Sequence, residues 1–292
     1  MSIKRKRILV TGHKGFLGQY LCSQLERNGY SLVNPLRNYD IANFDSVAET
    51  FSCEKIDYIF HLAGISSVQV CEENPKAAFD TNVAGTWNIL EIAKEKQVEG
   101  FFLASTVRLN RKEGTNDEHG VYNTSKLCSE RIALSYKKKY GLPVTAIRFG
   151  SIFGESDWNR DKLITYVIQS LINKEIPVIK SRINSTNYYI YLQDAVEACL
   201  FLLKKISKID VKDSIVTLAY KEPETLKALV AKLIKISTMP SLYPISIDSL
   251  PDKKPCEIIK TIKHIEDLGW KPQYTLFDAL KKTFEMNKSK KL

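Results

Sequence analysis

The chain has 292 residues, 44 % of them hydrophobic, and a formal net charge of +10 with a pI near 9.1. This length and hydrophobic content are enough for a full core and exclude a disordered chain. The longest apolar runs, ILV and CLFLL, are far shorter than the roughly 20 residues of a membrane-spanning helix. Because the basic start lacks a signal-peptide pattern, we expect a cytoplasmic protein.

Cysteines and histidines are dispersed along the chain. None of the six cysteines or four histidines falls in a C-x-x-C or H-x-x-x-H spacing, so we expect neither disulfides nor a metal site. The basic runs at 4–7, 137–139 and 288–292 lie at ends of the chain or of a helix, without interleaved aromatic residues. Solvated charge is therefore favoured over nucleic-acid binding, although the positive field would attract small phosphorylated ligands.

In chain order, apolar strands alternate with helical stretches, the pattern of a parallel sheet covered by helices. Strands are predicted at 7–12, 31–36, 57–64, 100–106, 142–150 and 214–220. Helices are predicted at 15–29, 45–55, 77–97, 158–175 and 192–205, with a further one starting near Tyr122. Short helices between proline turns are expected over 223–292.

Three glycines, Gly12, Gly15 and Gly18, lie between the first predicted strand and the first predicted helix. In this context glycines allow a tight turn, close approach of backbone to a pyrophosphate, and close packing of helix on strand. The position favours a dinucleotide site over a purely structural turn. We therefore predict an α/β, Rossmann-type doubly wound parallel sheet with a smaller, mainly C-terminal substrate-binding subdomain.

The predicted domain boundaries follow from that division. Residues 1–160, with 188–220 returning to them, are expected to form the dinucleotide-binding domain. Residues 161–187 and 221–292 are expected to form the substrate-binding subdomain.

The segment GVYNTSK sets Tyr122 and Lys126 four residues apart at a predicted helix start. This spacing brings both side chains to one face of a helix, where an ammonium group would favour the phenolate and lower a pKa that is ordinarily near 10. The same residues also suit an exposed helix start in which Thr124 and Ser125 act as caps. The spacing alone leaves both interpretations open.

Together with TGHKGFLG, FHLAGISSV, NVAGTWNILEIA, LAST, RFGSIFG, YYIYLQDAVEA and LGWKPQYTLFDALKKTF, this motif resembles the extended short-chain dehydrogenase/reductases that act on nucleotide sugars in carbohydrate biosynthesis. The resemblance covers nearly the whole chain. It implies Tyr122 as general acid/base and Lys126 as the residue that holds the nicotinamide ribose. Thr106, or less favourably Ser105, would complete the hydrogen bonding. Asn82 would either organise a proton-relay water or sit at a structural kink.

The resemblance also implies two sets of binding residues. The cofactor set is Gly12, Lys14, Gly15, Phe16, Leu17, Gly18, Arg37, Asp40, Ile41, Leu62, Ala63, Gly64, Ser105, Tyr122, Lys126 and Phe149. Within it, Asp40 and Ile41 are the pair expected at the adenine. The substrate set is Ser66, Ser67, Thr106, Ser151 and Arg182.

The choice of cofactor depends on the end of the second predicted strand, where an acidic residue would bind the ribose hydroxyls of NAD. The stretch SLVNPLRNY has no acidic residue but contains Arg37, and the glycine turn carries Lys14. Two cations suit the 2′-phosphate of NADP, so NADP(H) is favoured, with NAD(H) possible. Both residues also suit a solvated surface.

The residues after Thr106 narrow the choice of reaction. In the dehydratases of the family that this chain resembles, an Asp-Glu pair follows the threonine, and in the 3,5-epimerase/4-reductases a cysteine follows it. This chain has Val107 and Arg108 there, which disfavours both reactions. The aromatic-glycine pair that usually follows is also replaced, by VRLNRK, so the wall of the substrate pocket is expected to differ.

The function predicted is an NADP(H)-dependent reductase of a 4-keto nucleotide-diphosphate sugar. The alternative is a 4-epimerase that retains NAD, and the least favoured is a non-catalytic NADP-sensing or RNA-binding protein. A homodimer is expected through the helices near Asn82 and Tyr122, by resemblance.

Overall fold

The computed structural model describes residues 5–33, 39–110, 120–155, 157, 159, 162–179, 183–206, 214–239, 245–246 and 263–289. Arg37 and Arg182, assigned above to the cofactor and the substrate, lie outside these residues. Within the described part, no helix has both the length and the hydrophobicity needed to cross a membrane.

The strands centre on one parallel sheet. They are β1 (Arg7–Thr11), β2 (Ser31–Val33), β3 (Tyr58–His61), β4 (Gly100–Thr106), β5 (Val144–Phe149), β6 (Ser151–Phe153), β7 (Val178–Ile179), β8 (Thr186–Asn187), β9 (Tyr189–Tyr191), β10 (Ile215–Leu218), β11 (Glu224–Thr225), β12 (Ile245–Ser246) and β13 (Lys263–His264). Across the described residues, seven of them form the sheet in the order β13-β10-β5-β4-β3-β1-β2, with parallel pairing throughout. The predicted Rossmann-type α/β class is confirmed.

Helices connect these strands. They are α1 (Phe16–Arg27), α2 (Phe44–Phe51), α3 (Val68–Glu73), α4 (Pro75–Phe79), α5 (Gly85–Glu95), α6 (Val121–Tyr140), α7 (Leu163–Ile172), α8 (Leu192–Lys205), α9 (Leu226–Ser237) and α10 (Leu276–Ser289). A π-helical turn, Asp80–Ala84, joins α4 to α5, and a 3₁₀ turn, Val107–Asn110, follows β4.

The central sheet has a hydrophobic core on each face, because successive side chains of a strand point to opposite sides. Ile8 and Val10 of β1 pack in one cluster with residues of α1 and α8. Leu9, between them, packs in a second cluster with residues of α2, α5 and α6. The continuous apolar runs of the strands therefore reflect burial on both faces.

A third hydrophobic cluster lies apart from the sheet and is built from α7, α9 and α10. On α9 the apolar residues Leu226, Leu229, Val230 and Leu233 recur at helical spacing and are buried. The prediction of only short helices over 223–292 is wrong here, because α9 and α10 have 12 and 14 residues. Helix α9 lies between Pro223 and Pro240, and α10 follows Pro272, the last proline of the chain.

Two other predicted helices differ from the structure. The helix predicted at 77–97 is divided by the π-helical turn into α4 and α5. The helix predicted at 158–175 is shorter, because Lys162 is extended and Lys174 has a φ of 60°, which ends a right-handed helix. Helix α3 was not predicted, although Ser67 begins it with a side-chain cap.

Candidate active site

The carboxyl ends of the sheet strands lie level with one another and bring the candidate residues to one edge. Thr11 pairs with His61, Thr106 with Phe149, and Phe149 with Leu218. The segments that follow these strands therefore start side by side. In open parallel sheets this edge is where ligands bind.

The glycine turn after β1 is shaped by two close approaches of backbone. Gly12 has a φ of 71°, and a Cβ there would lie 2.7 Å from the backbone nitrogen of Ala63. A Cβ on Gly18 would lie 2.2 Å from the carbonyl oxygen of Gly12, so α1 packs against the turn only because residue 18 has no side chain. Both glycines therefore have the packing tasks that the sequence suggests.

The first turn of α1 is open toward an anion. Gly15 precedes the helix without a side-chain cap, and the first turn contains no acidic residue. Amide groups at a helix N-terminus attract negative charge. The turn and the helix start together fit the pyrophosphate of a nicotinamide dinucleotide, and Phe16 and Leu17 lie in that first turn.

Of the residues expected near the adenosine end, Lys14, Asp40 and Ile41 are among the described residues. Lys14 is exposed, and its carbonyl oxygen accepts a hydrogen bond of 2.6 Å from Gln19 Nε2. Ile41 is buried, and its carbonyl oxygen accepts a bond of 2.8 Å from Asn88 Nδ2, whereas Asp40 is exposed. The placement suits an apolar contact at Ile41 and polar contacts at Asp40 and Lys14.

Tyr122 lies on the first turn of α6 and is 8 % exposed. Burial raises the pKa of its phenol, while a hydrogen bond with Thr106 and the positive charge of Arg108 act in the opposite direction. Gly120 precedes α6 without a side-chain cap, and Ser125 lies inside the helix. The interpretation of Thr124 and Ser125 as cap residues is therefore wrong.

Lys126 lies one turn further along α6 and is buried. Its Nζ donates a hydrogen bond of 3.0 Å to the carbonyl oxygen of Ala104 on β4. Burial lowers the pKa of its ammonium to about 8, and the negative charge of Glu130 partly offsets this effect. The lysine thus ties α6 to β4 while its proton is held less firmly than that of an exposed lysine.

Asn82 lies in the π-helical turn and is 1 % exposed. Its side chain accepts a bond of 2.8 Å from Ile65 N, and donates to the carbonyl oxygen of Ile65 at 3.1 Å and to Ser125 Oγ at 3.0 Å. Its own carbonyl oxygen accepts from Ser129 Oγ at 2.6 Å and Thr86 Oγ1 at 2.5 Å. Asn82 therefore fixes the segment after β3 to α6, and a π-helical turn at such a place is typical of functional sites.

His61, at the end of β3, belongs to this edge but was not singled out from the sequence. Its Nδ1 lies 2.7 Å from Thr11 Oγ1 and its Nε2 lies 3.1 Å from Thr86 Oγ1. Because Thr86 Oγ1 donates to Asn82, it accepts from His61, so the proton is on Nε2 and Thr11 donates to Nδ1. Burial, with the charge of Lys126, lowers the pKa of His61 to about 3, and the imidazole is neutral.

The remaining candidate residues differ in their hydrogen bonding and exposure. Ser105 donates to Glu130 Oε1 at 2.5 Å, so its hydroxyl proton is already used and Thr106 is the better partner for Tyr122. Ser67 Oγ accepts from Val70 N at 3.3 Å as the cap of α3. Ser66 and Ser151 are exposed at this edge. Leu62, Ala63, Gly64 and Phe149 follow or end the strands that form it.

Among the described residues, no group of three His, Cys, Asp or Glu side chains is arranged to hold a metal ion.

Comparison with known proteins identifies the family. Residues 8–217 match the sequence profile of the NAD dependent epimerase/dehydratase family. The chain belongs to this family. It is therefore an enzyme of the oxidoreductase type, and the resemblance to nucleotide-sugar epimerases and dehydratases is confirmed.

Individual relatives agree with the family over almost their whole length. A putative UDP-glucose 4-epimerase of Methanocaldococcus jannaschii is 25 % identical over 312 residues, covering 97 % of this chain and 98 % of that protein. The UDP-glucose 4-epimerase of Thermotoga maritima, solved with UDP-glucose, has a TM-score of 0.80 at 21 % identity, covering 98 % and 100 % of the two chains. The protein RMD of Pseudomonas aeruginosa, solved with NADPH, has a TM-score of 0.78 at 18 % identity, covering 98 % and 99 %.

Proposed function

We propose that this protein is an NADP(H)-dependent reductase of a 4-keto nucleotide-diphosphate sugar. The observation that carries the proposal is the hydrogen bond between Thr106 and Tyr122 at the carboxyl edge of the sheet. The two residues after Thr106 are Val107 and Arg108. A dehydratase needs an acid and a base after the threonine, and neither residue can act as one. The pair by itself is sufficient to protonate a carbonyl oxygen.

The proposed reaction assigns a task to each side chain. A bound nicotinamide supplies a hydride to the keto carbon. Tyr122 donates its phenolic proton to the carbonyl oxygen, which becomes a hydroxyl, and Thr106 holds that oxygen by a hydrogen bond. The ammonium of Lys126, within the same site, favours the phenolate that remains. Burial of Tyr122 suits this direction, because a phenol with a raised pKa is fully protonated at neutral pH.

The preference for NADP(H) rests on charge. Lys14 is exposed in the glycine turn, and the sequence between Ser31 and Tyr39 contains Arg37 and no acidic residue. The RMD structure of similar fold contains NADPH. A 2′-phosphate is therefore the group that these cations suit best.

A second candidate is a nucleotide-sugar 4-epimerase that retains NAD. It is favoured by the names of the relatives, since both UDP-glucose 4-epimerases match nearly the whole chain. The same residues would serve it, because an epimerase removes and returns the hydride and the proton at one carbon. The two candidates differ in whether the cofactor leaves after each cycle.

The nucleotide-sugar class is inferred from the same relatives. Ser66, Ser67 and Ser151 are assigned to the sugar and its diphosphate, as is Arg182. The subdomain of 161–187 and 221–292 is proposed to hold the nucleotide, consistent with the separate hydrophobic cluster of α7, α9 and α10.

We also propose a homodimer in the cytoplasm, formed through α5 and α6. Large apolar side chains are exposed on and beside these helices: Phe79 (36 %), Trp87 (54 %), Leu127 (40 %) and Tyr140 (45 %). Exposed aromatic residues in such number suit a protein interface better than a solvated face.

The test begins with the cofactor. The purified protein is denatured, and the released nucleotide is identified by chromatography. Activity is then measured with both kinds of substrate. NADPH and NADH are each added to the protein together with a 4-keto-6-deoxy nucleotide sugar prepared from dTDP-glucose, and consumption of the cofactor is followed. Epimerisation of UDP-glucose is followed by NMR. Consumption of NADPH with little bound nucleotide supports the reductase, whereas tightly bound NAD with epimerisation replaces it with the second candidate.

Tyr122→Phe is the first variant to compare. We expect kcat to fall by about 10² to 10⁴-fold because the proton donor is removed, with the cofactor Kd nearly unchanged. Tyr58→Phe is the control and should keep its activity, because Tyr58 starts β3 at the opposite end of the sheet, where its hydroxyl donates to Glu99 Oε2 at 2.9 Å. Full biological activity of Tyr122→Phe in cells would instead point to a non-catalytic NADP-sensing or RNA-binding protein, and a gel-shift at physiological salt would then test RNA.

A further inference from the structure

A polar network that the proposed reaction does not use lies directly behind the candidate active site. Its members are all buried, with exposures of 6 % or less except at its far end: Ser105 (6 %), Glu130 (1 %), Arg148 (5 %), Asn110 (2 %) and Thr217 (7 %). They come from β4, α6, β5, the 3₁₀ turn and β10. Five separate elements are thus joined within the protein interior.

A bidentate ion pair forms the centre of this network. Arg148 Nε donates to Glu130 Oε1 at 2.9 Å, and Nη2 donates to Oε2 at 2.6 Å. Ser105 Oγ donates to the same carboxylate at 2.5 Å. Glu130 is on α6, so its carboxylate ties the helix that carries Tyr122 and Lys126 to the end of β4 and to β5.

The other side of Arg148 holds the turn after β4. Its Nη1 donates to the carbonyl oxygen of Leu109 at 3.2 Å and to Asn110 Oδ1 at 2.8 Å. Asn110 Nδ2 in turn donates to Thr217 Oγ1 at 2.9 Å on β10. Both hydrogen-bonding ends of the asparagine side chain are used, so the end of this turn has a defined position.

Stability alone does not account for such a network. Removing two charges from water costs several kcal/mol for each ion, and apolar residues of similar volume often replace a buried pair without loss of stability. What a bidentate pair supplies instead is a fixed geometry. The elements that it fixes are the ones that carry the chemistry.

Each arm of the network ends beside a reacting group. Ser105 immediately precedes Thr106, and Glu130 is on α6 with Tyr122. The 3₁₀ turn carries Arg108, whose amide donates to Thr106 Oγ1 at 3.3 Å and whose charge acts on Tyr122. The sequence here lacks the aromatic-glycine pair expected after the threonine, and Asn110 provides an anchor for the altered turn.

We propose that Glu130, Arg148 and Asn110 are positioning residues, which hold Thr106 and Arg108 against Tyr122. They touch neither substrate nor cofactor, and they act by aligning β4 and its turn with α6. The role in catalysis rests on the proposed function, but the alignment itself does not. A displacement of about 1 Å at such a distance from the chemistry can cost on the order of 100-fold in rate.

Three variants separate positioning from folding. Asn110→Leu removes the anchor of the turn and leaves the ion pair. Glu130→Gln leaves Arg148 as a buried unpaired cation and should lower the melting temperature. The double variant Glu130→Leu/Arg148→Met removes both charges and should regain much of that stability. Asp57→Asn is the matched control, because Asp57 is a buried carboxylate (4 % exposed) at the opposite end of the sheet, where it accepts from Arg7 N at 2.6 Å.

The first measurement needs no substrate. Tyrosines are labelled with ¹³C at Cζ, the Tyr122 signal is identified by its loss in Tyr122→Phe, and its chemical shift, which reports the hydrogen bonding of the phenol, is compared among the variants at pH 7. Tyr122 is hydrogen-bonded to Thr106, and the charge of Arg108 and the thiol of Cys71 act on it. If the network aligns Thr106 and Arg108, this signal moves in Asn110→Leu and in the double variant, but not in Asp57→Asn.

The second measurement is kinetic and uses whichever nucleotide sugar is converted. Asn110→Leu and the double variant should lose about 10 to 100-fold in kcat, with KM and the NADPH Kd within about threefold. Recovery of kcat together with the melting temperature in the double variant would show a purely structural pair and overturn the proposal. An unchanged Tyr122 ¹³Cζ signal in Asn110→Leu overturns it as well, even if no substrate is found.

Discussion

At the scale of single residues, the site sets the protonation of three groups by burial. The Tyr122 phenol is kept protonated, the His61 imidazole neutral, and the Lys126 ammonium is weakened to a pKa of about 8. A protonated phenol, a neutral imidazole and an ammonium group are thus held at one edge of the sheet. Such departures from ordinary pKa values are typical of catalytic sites.

The pKa of Lys126 predicts an alkaline limit on activity. Because the charged lysine favours the phenolate left after proton transfer, kcat/KM should fall as the pH rises through about 8. The Lys126→Arg variant keeps its positive charge throughout this range, so any activity that it retains should not fall above pH 8. Initial rates between pH 6 and 10 check this. An unchanged alkaline fall in Lys126→Arg would show that another group causes it.

His61 predicts a loss of stability in acid. Its pKa is about 3 in the folded protein and 6.5 in the unfolded chain, so between these values only the unfolded chain binds the proton. The free energy of unfolding should therefore be highest above pH 6.5 and decrease as the pH falls toward 3. Urea unfolding of His61→Gln over this range should show a smaller decrease than the parent protein, and an equal decrease contradicts the assignment.

At the scale of elements, the sequence predicted those parts whose signal is local. The glycine spacing, the strand run of 100–106 and helix α8 at 192–205 were found with their bounds because apolar period and turn residues coincide there. The π-helical turn at Asn82 and the network of Glu130 and Arg148 were not predicted. The side-chain partners of Asn82 are 17 and 43 residues away in sequence, and those of Arg148 are 18 to 39 residues away, and no local pattern records such distances.

The glycine turn can be tested as an element. A Cβ at residue 18 would lie 2.2 Å from the Gly12 carbonyl oxygen, so Gly18→Ala must move α1 away from the turn. We expect the NADPH Kd to rise at least 10-fold by fluorescence titration. Gly29→Ala is the control, because Gly29 has a φ of 83° and nothing within 4 Å of its Cβ position, so the change strains the backbone without touching the turn. Equal loss of affinity in both variants would indicate a general loss of stability instead.

At the scale of the whole molecule, two sheet-facing cores support the site and a third lies with the C-terminal helices. Asp194 of α8 accepts a bond of 2.7 Å from Gln273 N in the proposed subdomain and one of 3.2 Å from the Tyr220 hydroxyl at the subdomain's boundary. The proposed subdomain is therefore tied to α8 through a buried carboxylate. Its strands carried little sequence signal, since each is two residues long.

The proposed dimer predicts a change of mass with one substitution. Trp87→Glu places a charge at the most exposed of the large apolar residues on α5 and should convert the dimer to a monomer in light scattering. Ile176→Glu is the control, because Ile176 is 46 % exposed but lies outside α5 and α6. A parent protein that is monomeric at the highest concentration tested would contradict the proposal outright.

The π-helical turn also fixes the phase of the two helices that it joins. In a regular α-helix, residues eight apart such as Phe79 and Trp87 would differ by about 80° around the axis. The wider π-helical turn accommodates one additional residue. Phe79 and Trp87 are therefore oriented like residues seven apart in a regular α-helix, which differ by only about 20° around the axis. Both side chains are exposed. Deleting one residue from this turn would rotate Trp87 away from the helix face that it shares with Phe79, and would displace Asn82 at the same time. A single irregularity therefore determines both the outer face of these helices and the interior of the site.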